Sequence, residues 1–432
     1  MDLLAQPLKL PCGAVVPNRL CKSAMTEGLA DDYLRATGLL ENLYRQWSEG
    51  GAGLLITGNV MIDRHILERP GNVAIDVTFP PSVSVEAKSA LSRWAKAATF
   101  SGNQCWMQIS HPGRQSPRYV TRHPVAPSEV QLKLLGNYAK PRALTEEGVH
   151  DFIQRFAQVA VIARETGFTG VQIHAAHGYL ISAFLSPVTN QRRDQWGGSL
   201  LNRSRFLIEI IRAVRQSVGA DFPIGVKLNS DDFRKGGFSN ADCLEVVALL
   251  NSESVDLLEI SGGNYEQPRL LGVTGRKQDA VAVRPSTRIR EAYFLEYAEA
   301  IKQVATMPLM VTGGFRSRAG MVEALQSGVC DMIGIARPLC TYPNAVSDLM
   351  HAKIDALPAY ENHLHLRPSG LLSPASPLML PKMINVLGAQ GWYYQQMVYL
   401  AQGREPQLER GILRSFFRYL WDEMARTLRM KR

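Results

Sequence analysis

Apolar runs with strand character alternate with helical stripes along most of the chain. The runs fall at Arg19–Thr26, Leu54–Ile62, Cys105–Ile109, Gly170–His174, Pro223–Leu228, Val255–Ile260, Pro308–Val311 and Cys330–Ile335. Several are apolar at successive positions, the pattern of strands covered on both faces of a parallel sheet. Between them, apolar residues recur with a helical period. Val149, Phe152, Ile153, Phe156 and Val159 share one face, and Leu207, Ile210, Ile211, Val214 and Val218 share another. Eight such β/α units predict an α/β fold, a (β/α)8 (TIM) barrel, with a doubly wound open sheet as the other arrangement of the same units.

The alternation stops near residue 355. Residues 1–355 therefore read as the barrel and 356–432 as a linker and a helical C-terminal extension. The Pro- and Ser-rich stretch Leu366–Lys382 is the linker. In the tail Ile412, Leu413, Phe416, Phe417, Leu420, Trp421, Met424 and Leu428 form one stripe, with Arg410, Arg414 and Arg418 beside it. Such a helix packs on the barrel or on a second copy of the chain, as in a homo-oligomer. Its other use is to lie on an anionic membrane.

Composition narrows the class. Hydrophobic residues make up 46% and charged residues 20% of the 432 positions, enough for a large core. No apolar run reaches the ~20 residues of a membrane span, and the N-terminus has no basic-then-apolar leader pattern. Six scattered cysteines without a Cys-x-x-Cys pair write neither a zinc knuckle nor an iron–sulfur cluster and fit a reducing cytoplasm. The net charge of +9 is concentrated at the C-terminus, with no basic patch interleaved with aromatics at the candidate site, so nucleic-acid binding is not expected.

Polar residues cluster just after the strands: Thr26, Gly58-Asn59, His111, His174/His177, Asn229, Gly262-Gly263, Gly313-Gly314 and Arg337. In a barrel all of these lie on the C-terminal rim, where active sites are built. The long links 111–144 and 178–199 on that rim are candidate substrate lids.

The densest chemistry is His174-Ala175-Ala176-His177-Gly178-Tyr179. Two histidines three apart converge only if the chain leaves the strand between them, which the small residues and Gly178 allow. The pair is either a structural or metal pair, or two neutral imidazoles donating to one oxygen. No third ligand motif accompanies it, so no metal is assigned. Tyr179 is either a rim tyrosine or a weak acid able to protonate a carbanion-like carbon. After strands seven and eight, Gly313-Gly314 and Gly334-Ile335-Ala336-Arg337 pair bare backbone with a guanidinium, a phosphate-site pattern.

Taken together, these motifs resemble the old yellow enzyme family of FMN-dependent ene-reductases. The resemblance runs over residues 1 to about 350. It rests on Asn18-Arg19 with Ala24-Met25-Thr26, on Leu54-Leu55-Ile56-Thr57-Gly58, and on Gln108-Ile109-Ser110-His111-Pro112-Gly113-Arg114. It continues through the block from His174 to Arg205 and through Gly313-Gly314 with Arg337.

The resemblance implies FMN as cofactor and NADH or NADPH as hydride donor, in an NAD(P)H-dependent flavin oxidoreductase reducing an activated alkene or quinone. It implies Thr26 as donor to flavin O4, Ala24 and Met25 against the ring, Gln108 at the pyrimidine edge, and Gly313, Gly314 and Arg337 at the phosphate. Gly58 and Ala336 stand within the matching motifs and join the cofactor set. His174 and His177 would hold the substrate oxygen and Tyr179 would protonate the α-carbon. Lys227 stands where many relatives have Arg. It keeps a cation for the reduced ring but loses the planar fork. Trp196 replaces a common Tyr and is expected to pack, and Thr26 stands where some relatives have Cys. Two other readings remain: a phosphosugar isomerase or aldolase using Lys227, and a flavin- or partner-binding protein that acts through its tail.

Overall fold

The computed structural model describes residues 2–134, 136–261 and 295–431. Gly262-Gly263 lies outside them. All eight expected strands form: β1 (Leu20–Lys22), β2 (Leu54–Ile56), β3 (Gln104–Ser110), β4 (Gly170–Ala175), β5 (Ile224–Asn229), β6 (Leu257–Ser261), β7 (Leu309–Thr312) and β8 (Met332–Ile335). Each pairs in parallel with its neighbour, and Ile333 beside Leu20 closes the ring from β8 back to β1. The fold is therefore a closed eight-stranded barrel, not an open sheet.

Strand two is shorter than its apolar run. The chain turns out at Thr57-Gly58-Asn59, and Val60–Met61 then pairs with Ile109 and Ser110 further along β3.

The barrel is filled, not hollow. Cys21, Leu54, Ile56, Trp106, Leu257, Met310 and Met332 form its inner cluster, plugged from below by Leu8, Leu10 and Val16 of an N-terminal hairpin. Trp106 fits because its neighbours on β4 and β5 are Gly170 and Gly225. A Cβ at either would lie 2.6 or 2.9 Å from the indole.

Outside run α1 (Gly38–Glu49), α2 (Val85–Ala98), α3 (Glu146–Glu165), α4 (Leu200–Val218), α5 (Asn240–Leu250), α6 (Leu295–Lys302), α7 (Arg318–Gln326) and α8 (Ala345–Met350). The faces predicted for α3 and α4 are the buried ones, each large apolar side chain contributing ~1.5–3 kcal/mol. Ser84, Thr145, Ser199, Ser239 and Ser317 cap the first turns of α2, α3, α4, α5 and α7.

After the barrel come α9 (Met379–Ala401) and α10 (Ile412–Arg429). The helix α9 begins inside the stretch read as linker, with Pro381 in its first turn, where no intrahelical N–H is needed. It lies on α1, where Gln46 Nε2 donates to the Leu400 carbonyl at 2.7 Å. Glycines bring α10 close. A Cβ at Gly388 would sit 2.6 Å from Ile412 Cγ1, and one at Gly391 2.6 Å from Tyr419 Cβ.

The tail stripe splits, and only part of it packs on the rest of the protein. Ile412 and Phe416 are buried, whereas Leu413, Phe417, Leu420, Trp421, Met424 and Leu428 are exposed. The face that packs is the adjacent one, through Ser415, Tyr419 and Glu423. Glu423 seats it by pairing with Arg69 from the loop after β2, Nε to Oε1 being 3.1 Å. The chain end closes on the same rim, where Arg64 Nη2 donates to the Lys431 carbonyl at 2.6 Å.

Candidate active site

The C-terminal rim gathers the chemistry from the ends of most of the strands. β4 ends at Ala175, and the chain then reverses through His177 (φ 63°) and Gly178 (φ 78°). A left-handed backbone is costly for histidine, on the order of 1–3 kcal/mol. Neighbouring loops hold it there. The His177 N–H donates to Asn229 Oδ1 at 3.0 Å, Gln115 Nε2 donates to the His177 carbonyl at 2.9 Å, and Asn229 is itself bonded to Asp232. The turn brings the two imidazoles to one side. Their ring centres are 5.1 Å apart, and Tyr179 lies 4.8 Å from His174 and 6.4 Å from His177.

Both imidazoles are pushed toward the neutral form. Burial pushes each pKa well below its ordinary value. The partner histidine and then the Lys227 cation push His174 further in the same direction, and Lys227 does so for His177. His174 Nδ1 accepts from the Ala176 N–H at 3.2 Å, which puts the proton on Nε2 and makes that atom a donor. His177 Nε2 lies 2.6 Å from Ser261 Oγ on β6.

Below this clamp is a polar layer inside the barrel. Gln108 Nε2 donates to Gln172 Oε1 at 2.7 Å, Gln172 Nε2 donates to Glu259 Oε2 at 2.7 Å, and Lys227 Nζ sits 2.9 Å from Glu259 Oε1. Lys227 and Glu259 are both buried, so the pair is held by mutual attraction and the network around it. Gln172 and Glu259 were not singled out from the sequence. The available signal was a polar residue at an inward position of an otherwise apolar strand.

The exit of β1 forms the next wall. Ala24, Met25 and Thr26 are half-buried. Thr26 Oγ1 donates to Glu68 Oε2 at 2.6 Å, and Asn59 Nδ2 donates to the same oxygen at 2.8 Å. The Thr26 proton therefore points to a carboxylate from the loop after β2, a partner with no local sequence signal. Underneath, buried Lys22 lies 3.7 Å from Glu27, Tyr44 bonds the same carboxylate, and the Gly58 N–H donates to it at 3.1 Å.

The phosphate-type pattern also assembles. Gly313 (φ 132°) and Gly314 (φ 81°) end β7 in conformations only glycine adopts freely. Ser23 and Thr312 hydroxyls meet at 2.8 Å beside Gly334. Ala336 caps the short turn that begins with Arg337. Arg337 is joined by Arg316, which sequence reasoning missed. Both guanidiniums reach Glu361 from beyond the barrel, Arg337 at 3.4 Å, and Tyr393 of α9 donates to the same carboxylate at 2.8 Å. Burial opposes ionisation of Glu361, but Arg337 and Arg316 outweigh it and hold its pKa below the ordinary value.

Residues 4–355 match the NADH:flavin oxidoreductase / NADH oxidase family. The chain belongs to this family. Its members bind FMN and use NADH. It is 36% identical over 356 residues to the NADH-dependent flavin oxidoreductase iliE of Hypocrea jecorina (strain QM6a), covering 78% of this chain and 86% of that one. It is 37% identical over 355 residues to iliE of Neonectria sp. (strain DH2), covering 78% of this chain but only 46% of that longer relative. Among solved structures it resembles an old yellow enzyme homologue from Zymomonas mobilis, with a TM-score of 0.66, 24% identity, and coverage of 82% of this chain and 94% of that one. That likeness supports the barrel.

The site of this flavin oxidoreductase fits an FMN. Gly313 and Gly314 end β7 with bare backbone, and Arg316 and Arg337 meet at Glu361, a donor set of the kind that holds a phosphate. A Cβ at Gly58 would collide with the Met25 carbonyl and Glu27, so the glycine lets the β1 exit lie flat there. Asn59 Oδ1, beside Thr26, is buried without a hydrogen-bond partner among the described residues, an acceptor open to a ligand N–H. The described residues contain no group of three or more His, Cys, Asp or Glu able to hold a metal. Trp196 packs as expected, fully buried with its ring 5.3 Å from His150.

Proposed function

We propose that this chain reduces activated C=C bonds of α,β-unsaturated carbonyls, nitroalkenes or quinones, with NADH or NADPH as the reductant. Bound FMN supplies the hydride carrier between the two substrates. Gly313, Gly314, Arg316 and Arg337 would hold its phosphate. Gln108 would meet the pyrimidine edge, Lys227 would offset negative charge at the ring, and Ala24, Met25, Gly58 and Thr26 would line the other side.

The observation that carries the reading is the pair of neutral imidazoles with a phenol against them. Two neutral donors hold one substrate oxygen and draw electron density from the alkene, making its β-carbon electrophilic. They stay bonded as charge builds on that oxygen. Tyr179 Oη then delivers a proton to the α-carbon. His174 offers its Nε2 proton. The Ser261 contact fixes the orientation of His177.

Lys227 is committed to an ion pair with Glu259, which weighs against its use as an aldolase nucleophile. Residues 1–355 would form the FMN-binding unit, with 356–432 an extension that braces its rim through Glu361 and Glu423. The six unpaired cysteines fit a reducing cytoplasm.

Incubating the protein with FMN and NADH under anaerobic conditions, then adding cyclohexenone, tests the proposal. Flavin bleached by NADH and restored by the enone, with saturated ketone formed, is expected. Bleaching that no enone, nitroalkene or quinone reverses would refute it.

A further inference from the structure

The outer face of α10 is a feature that the flavin chemistry leaves unused. Leu413, Phe417, Leu420 with its neighbour Trp421, Met424 and Leu428 recur at three- and four-residue spacing, and the six are 48%, 65%, 37%, 68%, 64% and 84% exposed. Solitary exposed apolar residues need no explanation, but a continuous stripe of this kind on a helix clamped from behind marks a contact surface. The clamp is firm, since buried Glu423 pairs with Arg69 and also accepts from Tyr119 at 3.1 Å.

The charges along the stripe decide what fits it. Arg414 and Arg418 follow its edge, Arg429 is its last residue, and Lys431 extends the positive charge past the helix end. The helix carries two carboxylates. Glu423 is buried on Arg69, and Asp422 is held by Arg418 at 2.9 Å. Arg414 and Arg429 have no carboxylate partner among the described residues. Antiparallel pairing of two copies about a two-fold axis would set the arginine edges against each other with no free acid between them. An apolar surface bearing negative charge answers both features at once.

We propose that α10 docks this enzyme on the surface of an anionic phospholipid bilayer. Its leucines, Phe417 and Trp421 enter the headgroup boundary while its arginines meet the acidic headgroups. No helix among the described residues is long and apolar enough to cross a membrane, so the contact is peripheral.

The protein carries its own reporter. Of its six tryptophans, Trp47, Trp94, Trp106, Trp196 and Trp392 are buried, and only Trp421 is exposed. The test mixes the FMN-loaded full chain with vesicles of phosphatidylcholine alone or with about one-third phosphatidylserine, each with and without brominated acyl chains.

Sedimentation with the anionic vesicles, weakened by salt, is expected, with tryptophan emission quenched by the brominated chains. Phe417→Ser/Trp421→Ser should abolish sedimentation. Arg414→Glu/Arg429→Glu should weaken it at least about tenfold, with NADH oxidation unchanged in both variants. No sedimentation with anionic vesicles overturns the proposal. So does sedimentation that the variants retain, or a stable dimer that masks Trp421 and dissociates on Phe417→Ser/Trp421→Ser.

Discussion

Replacing Glu423 by Ala tests whether the C-terminal helix is part of the rim or an appendage. The Arg69 and Glu423 side chains are 8% and 5% exposed, and the Arg69 guanidinium also lies 3.7 Å from the Tyr394 ring centre. Burial opposes the arginine's charge, but the Glu423 carboxylate outweighs it and holds the Arg69 pKa well above its ordinary value. Removing the carboxylate strands a buried cation and leaves the Tyr119 hydroxyl without its acceptor. Stranding one member of a buried pair costs about 3–5 kcal/mol. Unfolding entropy for a chain of 432 residues is roughly 0.9 kcal/mol/K, so the midpoint should fall by about 3–6 °C. The assay is thermal unfolding of FMN-saturated protein followed by circular dichroism. Arg69→Met/Glu423→Leu removes both charges together and should recover most of the loss. A Glu423→Ala midpoint within 1 °C of wild type, roughly the resolution of such a scan, would refute the reasoning, because it would mean the pair is hydrated in solution.

Three further outcomes follow from the site. His174 and His177 have folded pKa values well below 6.5, so an unfolded chain takes up protons below that pH while the folded one does not. Stability should therefore be unaffected by the pair above about pH 6.5 and fall below it, by up to ~1.4 kcal/mol per pH unit per histidine. Substituting both by Asn should flatten that limb of a urea-unfolding pH series, and an unchanged limb counts against two neutral imidazoles. Gly334→Ala places a methyl against Thr312 and Ser23, breaking their 2.8 Å contact. Overpacking costs about 1–3 kcal/mol at the strand ends that carry Gly313, Gly314 and Arg337, so FMN affinity by flavin fluorescence should drop at least about fivefold. Retained affinity would show that the strand ends relax freely. Glu68→Gln removes the negative charge that accepts the Thr26 proton and should raise the flavin midpoint potential by about 30 mV, equivalent to ~1.4 kcal/mol for two electrons. A potential that does not move would place Glu68 too far from the ring to matter.

Strand identity and order were legible because each strand is buried on both faces and written as a short apolar block. The His174–Tyr179 turn was legible because its residues are contiguous. Strand two was read too long because its apolar block hides a turn at Gly58, whose N–H leaves the ladder for Glu27. The groups missed around the site come from far along the chain. Arg69 and Glu423 are 354 positions apart, and Thr26 and Glu68 are 42 apart. Such pairs leave no spacing pattern. Gln172 and Glu259 lay within predicted strands, where the inward period-two position could have exposed them. The α10 stripe was read correctly as a face, but spacing cannot say which neighbouring face packs. Glycines at 388 and 391 and the acid at 423 decide that.

Tyr179 is the proposed donor of the α-carbon proton to an alkene held by His174 and His177. Tyr179→Phe, studied by anaerobic stopped flow in its two half-reactions, tests it most directly. Reduction of the bound flavin by NADH should proceed at the wild-type rate, and its re-oxidation by an enone should slow by about 10²–10⁴-fold. Re-oxidation by the enone at the wild-type rate would contradict the account.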